Sequence, residues 1–344
     1  MKPRYFIHYG ILVLSCIVFF ILDLLIGSVK INLSDFAGLI FHPRSFHNSE
    51  LLTILREFRL PRGITAVLAG MALSVSGLQM QTIFRNPLAG PYVLGISSGA
   101  SLGVAILVLG VWPALSGVFP HVPGNWAVLL AAGLGAAAVL FLILLVSARV
   151  NDIMTILILG LLFGGAVSAV VNILQYFSDE YSLRTFVLWN MGSLSGVTKA
   201  QLGVLAPAII GGLLIALLTG KVLNALLLGE TYAKTIGVNI PLSRFFIFLS
   251  TSILAGGITA FCGPIGFIGI AVPHLARMIF KTSNHHFLMP ASMLLGAIVM
   301  LISDMICQLP GTDIVLPVNS VTALLGIPVV IWVLLKNIRI SSIN

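Results

Sequence analysis

Charged residues are scarce in this 344-residue chain, at 8%, whereas hydrophobic residues make up 58% of it. Soluble domains carry roughly 25% charged residues, so too few are present to cover a water-facing surface. The scarcity excludes a soluble globular protein and indicates a polytopic membrane protein with a single domain, residues 1–344. The formal net charge is +8, which in a membrane protein indicates basic loops facing anionic lipid rather than nucleic-acid binding.

Cysteine is also scarce, with three residues in the chain, Cys16, Cys262 and Cys307. All three lie in apolar stretches, and their spacing is not that of a metal-binding or disulfide-bonded motif. We therefore interpret them as small core residues. The sequence contains no catalytic constellation, metal-ligand set or cofactor motif, so we predict no enzyme activity, no metal and no cofactor.

Acidic residues and lysines are missing from the middle of the long apolar stretches. Asp23 and Asp304 lie near the ends of two such stretches, where we expect them to reach the membrane interface. Ion-coupled transporters use charged residues inside their spans, and voltage sensors use rows of arginine. The sequence therefore disfavours both classes. Of the two, an ion-coupled secondary transporter is kept as the alternative to the function derived below.

A phosphate-binding loop is missing as well. The nearest approach is Gly220-Lys221, but the pattern needs a glycine five residues before Gly220 and a serine or threonine after Lys221. Ile215 and Val222 occupy those positions. If the protein moves a solute with energy from ATP, the hydrolysis therefore belongs to a partner.

Long apolar runs are what the sequence has in abundance. A helix needs about 20 apolar residues to cross about 30 Å of hydrocarbon, and ten stretches come near that length. They are residues 6–29, 61–84, 91–111, 125–147, 151–176, 200–220, 243–262, 264–281, 287–308 and 318–336. The first is longer than the apolar core of a signal peptide, so we predict a retained span. Gly263 and Pro264 are predicted to form the turn between the seventh and eighth spans.

The distribution of lysine and arginine predicts the orientation. With the N-terminus inside, ten spans place both termini in the cytoplasm, and eleven basic residues lie inside against seven outside. This bias agrees with the positive-inside rule. Four of the seven outside residues cluster between Arg44 and Arg62, which indicates a specific role for the cluster.

Small residues are dense in the stretch RNPLAGPYVLGISSGASLG, residues 85–103. Glycines four residues apart let membrane helices approach closely. Three pairs have this spacing, namely Gly99 and Gly103, Gly160 and Gly164, and Gly192 and Gly196. A helix surface formed largely by Ser97, Ser98, Gly99, Ser101 and Gly103 is either tightly surrounded or lines a passage, and the residues alone leave both open.

Residues 223–244 form the longest segment of mixed polarity on the predicted inner side. Leu228, Tyr232 and Ile236 recur every four residues and would share one face of a short helix. Such an amphipathic helix either docks into a cytosolic partner or lies on the lipid surface as an anchor. The pattern by itself favours neither.

Four blocks of the sequence resemble the membrane permeases of type II ABC importers, which carry iron–siderophore, haem and cobalamin compounds. They are REFRLPRGITAVLAGMALSVSGLQMQTIFRNPLAGPYVLGISSGASLG at 56–103, LGETYAKTIGVNI at 228–240, GPIGFIGIAVPHLAR at 263–277 and LPVNSVTALLGIPVVIWVLL at 316–335. The resemblance implies an all-α permease of ten transmembrane helices in the bacterial inner membrane. It also implies a homodimer with the translocation path along its two-fold axis.

The partners follow from the same resemblance. Two copies of an ATPase subunit would dock on the inner side, a periplasmic binding protein would deliver the cargo outside, and membrane lipid would surround the dimer. Segment 223–244 matches the coupling region of the family, which favours docking over anchoring. The coupling residues would be Leu228, Gly229, Glu230, Tyr232, Ala233, Lys234 and Gly237.

Arg59 and Arg62, in the motif RLPR, match family positions that receive acidic residues of the binding protein. Arginine suits this role because its planar fork grips a carboxylate with two hydrogen bonds; the alternative is ordinary interfacial snorkelling. The sequence departs from the family near Gln308, where some relatives carry a basic docking residue. It also departs at Val315 and Asn319, where many carry glutamate and glycine.

His274, in the motif PHLAR, is interpreted as structural, because relatives with different cargo carry the same motif. His285 and His286 are interpreted as loop residues.

The resemblance and the small side chains together predict a permease in which Ser97, Ser98, Gly99, Ser101 and Gly103 line the translocation path. Ferric siderophore, haem and cobalamin are all compatible with it, and a membrane scaffold or receptor is a further alternative.

Overall fold

The computed structural model describes residues 3–27, 29, 49–111, 124–150, 152–308 and 314–341. Within these ranges the regular structure is helical throughout, and thirteen helices are labelled here in chain order. They are α1 (Pro3–Leu25), α2 (Ser49–Thr53, a π-helical stretch Ile54–Arg59, and Leu60–Ile83), α3 (Ile96–Ala105, with a π-helical end Ile106–Val111), α4 (Asn125–Arg149), α5 (Ile153–Tyr176), α6 (Glu180–Asn190), α7 (Lys199–Leu218), α8 (Gly220–Leu227), α9 (Glu230–Thr235), α10 (Ile240–Cys262), α11 (Ile268–Phe280), α12 (His285–Cys307) and α13 (Val318–Ser341). The all-α prediction is confirmed for this part of the chain.

Seven of the helices in the described ranges are long and apolar enough to cross a membrane, namely α1, α2, α4, α5, α7, α10 and α12. Three shorter apolar helices occupy Ile96–Val111, Ile268–Phe280 and Val318–Val333. These ten elements coincide with the ten apolar runs of the sequence. α2 begins at Ser49 rather than near residue 61, because its first turns are polar and hydropathy alone does not find them. Ten crossings stay a prediction.

The helix α2 is the centre of the fold. Its most apolar stretch is 83% buried, whereas that of α1 is 6% buried. It packs against α7, α10, α11 and α12, and glycines bring two of these backbones close. A Cβ at Gly70 would overlap the carbonyl of Gly296 on α12, and one at Gly77 would overlap the carbonyl of Gly269 on α11.

The first glycine pair of the sequence, Gly99 and Gly103, packs α3 against α4. A Cβ at Gly99 would lie 2.5 Å from the carbonyl oxygen of Gly135, and one at Gly103 would overlap the carbonyl of Ala131. The prediction of close backbone approach is therefore confirmed at this pair. Such contact is what joins helices in lipid, where no hydrophobic effect pulls them together.

The other two glycine pairs behave differently from each other. Gly160, on α5, would place a Cβ 2.6 Å from the carbonyl oxygen of Val93, so it also permits a close approach. Gly192 and Gly196 lie in the turn after α6, and Gly196 has open space around it. The helix-packing interpretation is wrong for this pair, because the spacing has meaning only on a helix.

The ends of the helices define two faces of the molecule. The "α9 face" holds α9, the start of α12 and the end of α2, and there the Tyr9 hydroxyl donates to the Phe287 carbonyl at 2.6 Å. The "Arg62 face" is opposite and holds the end of α1 and the end of α12, beside Arg62.

Gly263, with φ +75°, ends α10, and an irregular segment leads to α11, which confirms the predicted turn.

Two histidines predicted to lie in a loop belong to the first turn of α12 instead. His285 is fully buried, and its Nε2 lies 2.7 Å from the Thr82 hydroxyl and its Nδ1 2.9 Å from the Asn224 amide oxygen. The loop interpretation was wrong because Asn284 caps the helix by accepting from the His286 N–H. The interpretation of the cysteines as core residues is confirmed for Cys262 and Cys307, which are buried, whereas Cys16 is partly exposed.

Candidate functional site

The helix α9 is set apart by glycines at both ends. Gly229, just before it, has φ +120°, and Gly237, just after it, has φ +87°. Residues with a Cβ rarely adopt such angles. A Cβ at Gly229 would also lie 3.1 Å from the guanidinium of Arg85. Both glycines therefore position α9 and need not contact a partner themselves.

The inner side of α9 is fixed to the body of the protein. Ala233 is completely buried. The Glu230 carboxylate accepts from the Arg244 guanidinium at 2.7 Å, and Arg244, on α10, also donates to the Val150 carbonyl at 3.3 Å. Because the side chain of Arg244 is almost fully buried, removing its partner would strand a charge. Glu230 braces the helix rather than presenting a free carboxylate.

The outer side of α9 is apolar and exposed. Leu228 is 68% exposed, Tyr232 47% and Ile236 55%, and these three residues are named the "α9 patch". All three side chains are exposed, but α9 itself covers Glu230–Thr235, so Leu228 precedes the break at Gly229 and Ile236 lies at the C-terminal cap; one shared helix face stays a prediction. Lys234 is also exposed. Beside the patch lies a cavity of about 530 Å³, whose lining includes Arg85, Met154 and Thr231.

The turn that carries Val150 continues into the cap of α5. Asp152 accepts from the Thr155 hydroxyl at 2.6 Å, from the Thr155 N–H at 2.9 Å and from the Met154 N–H at 3.3 Å. These hydrogen bonds favour the charged carboxylate and lower the pKa of Asp152, the Thr155 hydroxyl contributing most. The turn beside α9 is thus held by a regular helix cap.

A second feature is a cavity of about 350 Å³ lined by hydroxyl and amide groups, named here the "polar cavity". Its polar lining comes from α3, α5, α6 and α13. The residues are Ser97, Ser98, Ser101, Ser168, Asn172, Gln175, Asn190 and Asn319. No charged side chain lines it in the described part of the chain. The structure therefore brings together the three serines that the sequence singled out and adds amide groups from distant helices.

The two glycines of the same segment are not part of this lining. Gly99 and Gly103 face α4, as described above. The segment thus divides into a serine side toward the polar cavity and a glycine side toward a neighbouring helix. The packed-helix alternative is therefore confirmed for the glycine side of α3, and a path-lining role of the serine side stays a prediction.

Asn319 shapes the edge of the polar cavity. Its side-chain oxygen accepts from the Gly266 N–H at 2.9 Å, in the irregular segment between α10 and α11. The resemblance implied a glycine here, and a glycine could not make this hydrogen bond. Val315, the other departure from the family in this segment, is 56% exposed.

The Arg62 face is organised around a buried ion pair. Arg62 donates to both carboxylate oxygens of Asp304, from Nε at 2.8 and 3.0 Å and from Nη2 at 2.8 Å. Gln308 adds a hydrogen bond to Asp304 at 3.3 Å. Asp304 and Asp23 are both buried. The expectation that both side chains reach the interface is contradicted by this burial; for Asp304 the physical reason is Arg62, which provides a charge partner inside the protein.

Arg59 is buried as well. Its guanidinium donates to the Leu24 carbonyl at 2.8 Å, the Leu25 carbonyl at 3.0 Å and the Val29 carbonyl, so it closes the C-terminal end of α1. Arg56, one turn earlier, is exposed. The docking role of Arg59 and Arg62 stays a prediction, and in this conformation the donors of both residues serve contacts within the chain.

His274 donates a hydrogen bond from Nε2 to the Pro87 carbonyl oxygen, and the two atoms are 2.8 Å apart. This contact agrees with a structural role. Among the described residues no group of three or more His, Cys, Asp or Glu is placed to hold a metal ion.

Sequence reasoning missed the ion pairs Arg62–Asp304 and Glu230–Arg244, as well as the amide groups of the polar cavity. Each pair joins residues on different helices. A usable signal was present nonetheless, since an isolated charge inside an apolar helix requires a partner of opposite sign. Among the seven basic residues on the same predicted membrane side, Arg62 alone lies within a predicted apolar run, 61–84, so matching Asp304 to it would have proposed the pair.

These features describe a class of protein: a helical membrane protein with several apolar spans, an uncharged polar cavity and exposed apolar residues on one terminal face. The chain belongs to the FecCD transport family, which matches residues 15–336. It is the permease of a type II ABC importer, a transport subunit and not an enzyme, and ATP hydrolysis belongs to a separate subunit.

Named relatives and one solved structure support this membership. The chain is 36% identical to the hemin transport system permease protein HmuU of Yersinia pestis, over 84% of this chain and 85% of the relative. It is 38% identical to the vitamin B12 import system permease protein BtuC of Klebsiella pneumoniae, over 82% of each. A metal-chelate type ABC transporter in an inward-facing conformation matches with a TM-score of 0.82 and 30% identity, over 96% of this chain and 99% of the other.

Proposed function

We propose that the protein forms the translocation path for a metal chelate, either an iron compound (ferric siderophore or haem) or cobalamin, in a bacterial inner membrane. It works as a homodimer of ten-span subunits with both termini in the cytoplasm. The α9 face is cytoplasmic and receives one ATPase subunit per protomer. The Arg62 face is periplasmic and receives the cargo-loaded binding protein.

The observation that carries this proposal is the α9 patch. A short helix is braced from below by Ala233 and by the Glu230–Arg244 ion pair, while Leu228, Tyr232 and Ile236 stay exposed. Bracing a helix while leaving its apolar side uncovered suits a surface that transmits force to a partner. Aromatic and apolar residues at the centre of an interface supply most of the binding free energy.

The polar cavity supports the second part of the proposal. A path for a bulky metal chelate needs groups that replace hydration without holding the cargo tightly. Hydroxyl and amide groups of Ser97, Ser98, Ser101 and their neighbours provide neutral donors and acceptors, and no ionic contact has to be broken for release. Gly99 and Gly103, on the opposite side of α3, allow this helix to pack closely against α4.

Docking of the binding protein is proposed at the Arg62 face. Arg59 and Arg62 lie on this face, at the start of the apolar part of α2. Nearby are the exposed Arg56 and an exposed ion pair between Glu57 and Lys199, whose charged atoms are 3.2 Å apart. Acidic residues of the binding protein would approach Arg56 directly. To reach Arg62 they would have to compete with Asp304, which makes docking and the state of that ion pair mutually dependent.

The test of the ATPase site uses the double variant Tyr232→Ala, Ile236→Ala in the full permease, copurified with its cognate ATPase subunit. We expect affinity for the ATPase to fall about 30-fold, equivalent to about 2 kcal/mol. The control is Leu214→Ala on α7, an exposed apolar residue in the middle of a predicted span. Unchanged copurification and uptake in the double variant would refute the assignment.

A further inference from the structure

A second cavity on the α9 face has a basic lining that the proposed function does not use. Its volume is about 460 Å³, and it lies among the end of α2, the loop after it, α11 and α13. Two arginines, Arg85 and Arg277, contribute to its wall, together with His274, whose Nε2–H is donated to the Pro87 carbonyl. The apolar part of the wall is formed by Leu227, at the end of α8, Met278 and Val333. No acidic residue lines it within the described chain.

The position of Arg277 in this cavity is fixed by a chain of hydrogen bonds. The buried amide of Gln81 donates from Nε2 to the Ile270 carbonyl at 3.1 Å, which turns its oxygen toward α11. Arg277 donates from Nη1 to that oxygen at 2.7 Å. The Gly77–Gly269 crossing of α2 and α11 lies one turn away and holds both helices in register. Arg277 is thus a positioned group rather than a mobile surface residue.

Neither arginine of the cavity has a counter-ion in the described part of the chain. The ion pairs there belong to Arg62, Lys199 and Arg244. Arg277 has the neutral Gln81 oxygen, and Arg85 has the Leu226 carbonyl at 3.3 Å. Arg277 is half-buried, so its guanidinium has lost hydration without the compensation that an anion supplies, whereas Arg85 is exposed.

The loop that carries Arg85 is also shaped for this site. Arg85 has φ +47°, a left-handed conformation that bulky residues adopt infrequently and at a cost. The loop is held by the Asn86 N–H to the Gln81 carbonyl, at 3.2 Å, and by the His274 contact to Pro87. A glycine would relieve the backbone but would remove the guanidinium from the cavity.

We infer that this cavity binds a phosphate-class anion, supplied by the headgroup of an anionic membrane lipid or by free phosphate. Guanidinium groups bind phosphate oxygens with short, charge-assisted hydrogen bonds. The apolar wall of Leu227, Met278 and Val333 lies beside the basic groups and accommodates the first methylenes of an acyl chain. In the orientation proposed above, the site faces the leaflet that is rich in anionic lipid.

The test uses the purified full-length permease and two probes. Native mass spectrometry after extraction from nanodiscs of equal phosphatidylglycerol and phosphatidylcholine measures lipid retention, and calorimetry with inorganic phosphate measures free-anion binding. The variant Arg277→Gln is compared with Arg149→Gln, which removes the same charge from an exposed position at the end of α4 on the same face. Arg85→Gln is a second variant in case Arg277→Gln does not fold.

We expect wild-type protein and Arg149→Gln to retain phosphatidylglycerol in preference to phosphatidylcholine. Arg277→Gln should lower that retention about tenfold and Arg85→Gln about threefold. Binding of inorganic phosphate with the same variant dependence, and no lipid preference, would support the anion site with free phosphate as its source. Equal losses in Arg149→Gln and Arg277→Gln, or binding of neither probe, would overturn the inference.

Discussion

The α9 face and the Arg62 face use their polar groups in opposite ways. On the α9 face, Glu230 and Arg244 pair beneath a helix whose apolar residues remain exposed. On the Arg62 face, Arg59 and Arg62 are themselves turned inward, toward carbonyls of α1 and toward Asp304. A residue that its sequence motif predicts to lie at a docking surface can therefore be buried in the folded protein. The α9 patch is ready to meet a partner, whereas the arginines first have to leave existing contacts.

The sharpest way to break this comparison is to remove Asp304. In Asp304→Ala the Arg62 guanidinium loses its carboxylate in a buried position, and we expect the free energy of unfolding to fall by about 3–5 kcal/mol. Thermal unfolding followed by size-exclusion chromatography in detergent measures the change. The control is Glu57→Ala, which removes the exposed partner of Lys199 and should alter stability by at most about 1 kcal/mol.

A further variant separates a lost ion pair from a lost side chain. Replacing both partners, as in Arg62→Met with Asp304→Leu, should recover much of the stability lost in Asp304→Ala, because no charge is then left unpaired. If Asp304→Ala unfolds at the same temperature as Glu57→Ala, the Arg62 face is not organised by this pair. The arginines would then be free for a binding protein, and the contrast between the faces would disappear.

A smaller effect is expected when the brace of α9 is weakened. Glu230→Gln keeps the shape of the side chain but replaces the charged acceptor of Arg244, and we expect a loss of about 1.5–3 kcal/mol from the charge-assisted hydrogen bond. Uptake per ATP hydrolysed in proteoliposomes should fall, while the ATPase still binds through the α9 patch. Glu57→Gln is the matched control. Full coupling in Glu230→Gln would show that the pair does not brace the helix.

The smallest effect is expected at the cap of α5, next to the braced helix. The lowered pKa of Asp152 means that its contribution to stability is complete above the unfolded-state pKa of about 3.9 and is lost as the pH falls through the lower, folded-state value. Asp152→Ala should therefore melt slightly below wild type at neutral pH, and the gap should narrow below about pH 4. A gap that stays constant in acid would mean that the charge of Asp152 contributes nothing.

The local features of the fold were accessible from the sequence. Apolar runs located the helices because hydrocarbon thickness sets their length. The spacing of Leu228, Tyr232 and Ile236 indicated an apolar surface in this segment, and all three side chains are exposed, although the helix itself covers only Glu230–Thr235. Each of these inferences depends on neighbours in the chain, and each holds without knowledge of the tertiary structure.

The features that sequence reasoning missed are those that join distant parts of the chain. Asp304 was expected at the interface because its partner lies 242 positions earlier. The amides Asn172, Asn190 and Asn319 were not associated with Ser98 because they come from three other helices. Pairing across helices depends on rotation and depth, which hydropathy does not specify.

The glycine crossings of α2 have a consequence for how the molecule moves. Gly70 against Gly296 and Gly77 against Gly269 leave no gap into which a side chain could slide, so α2 has no room for axial displacement along α11 or α12. We therefore expect α2, α11 and α12 to keep their relative positions in any change of conformation, so that the three act as one rigid unit.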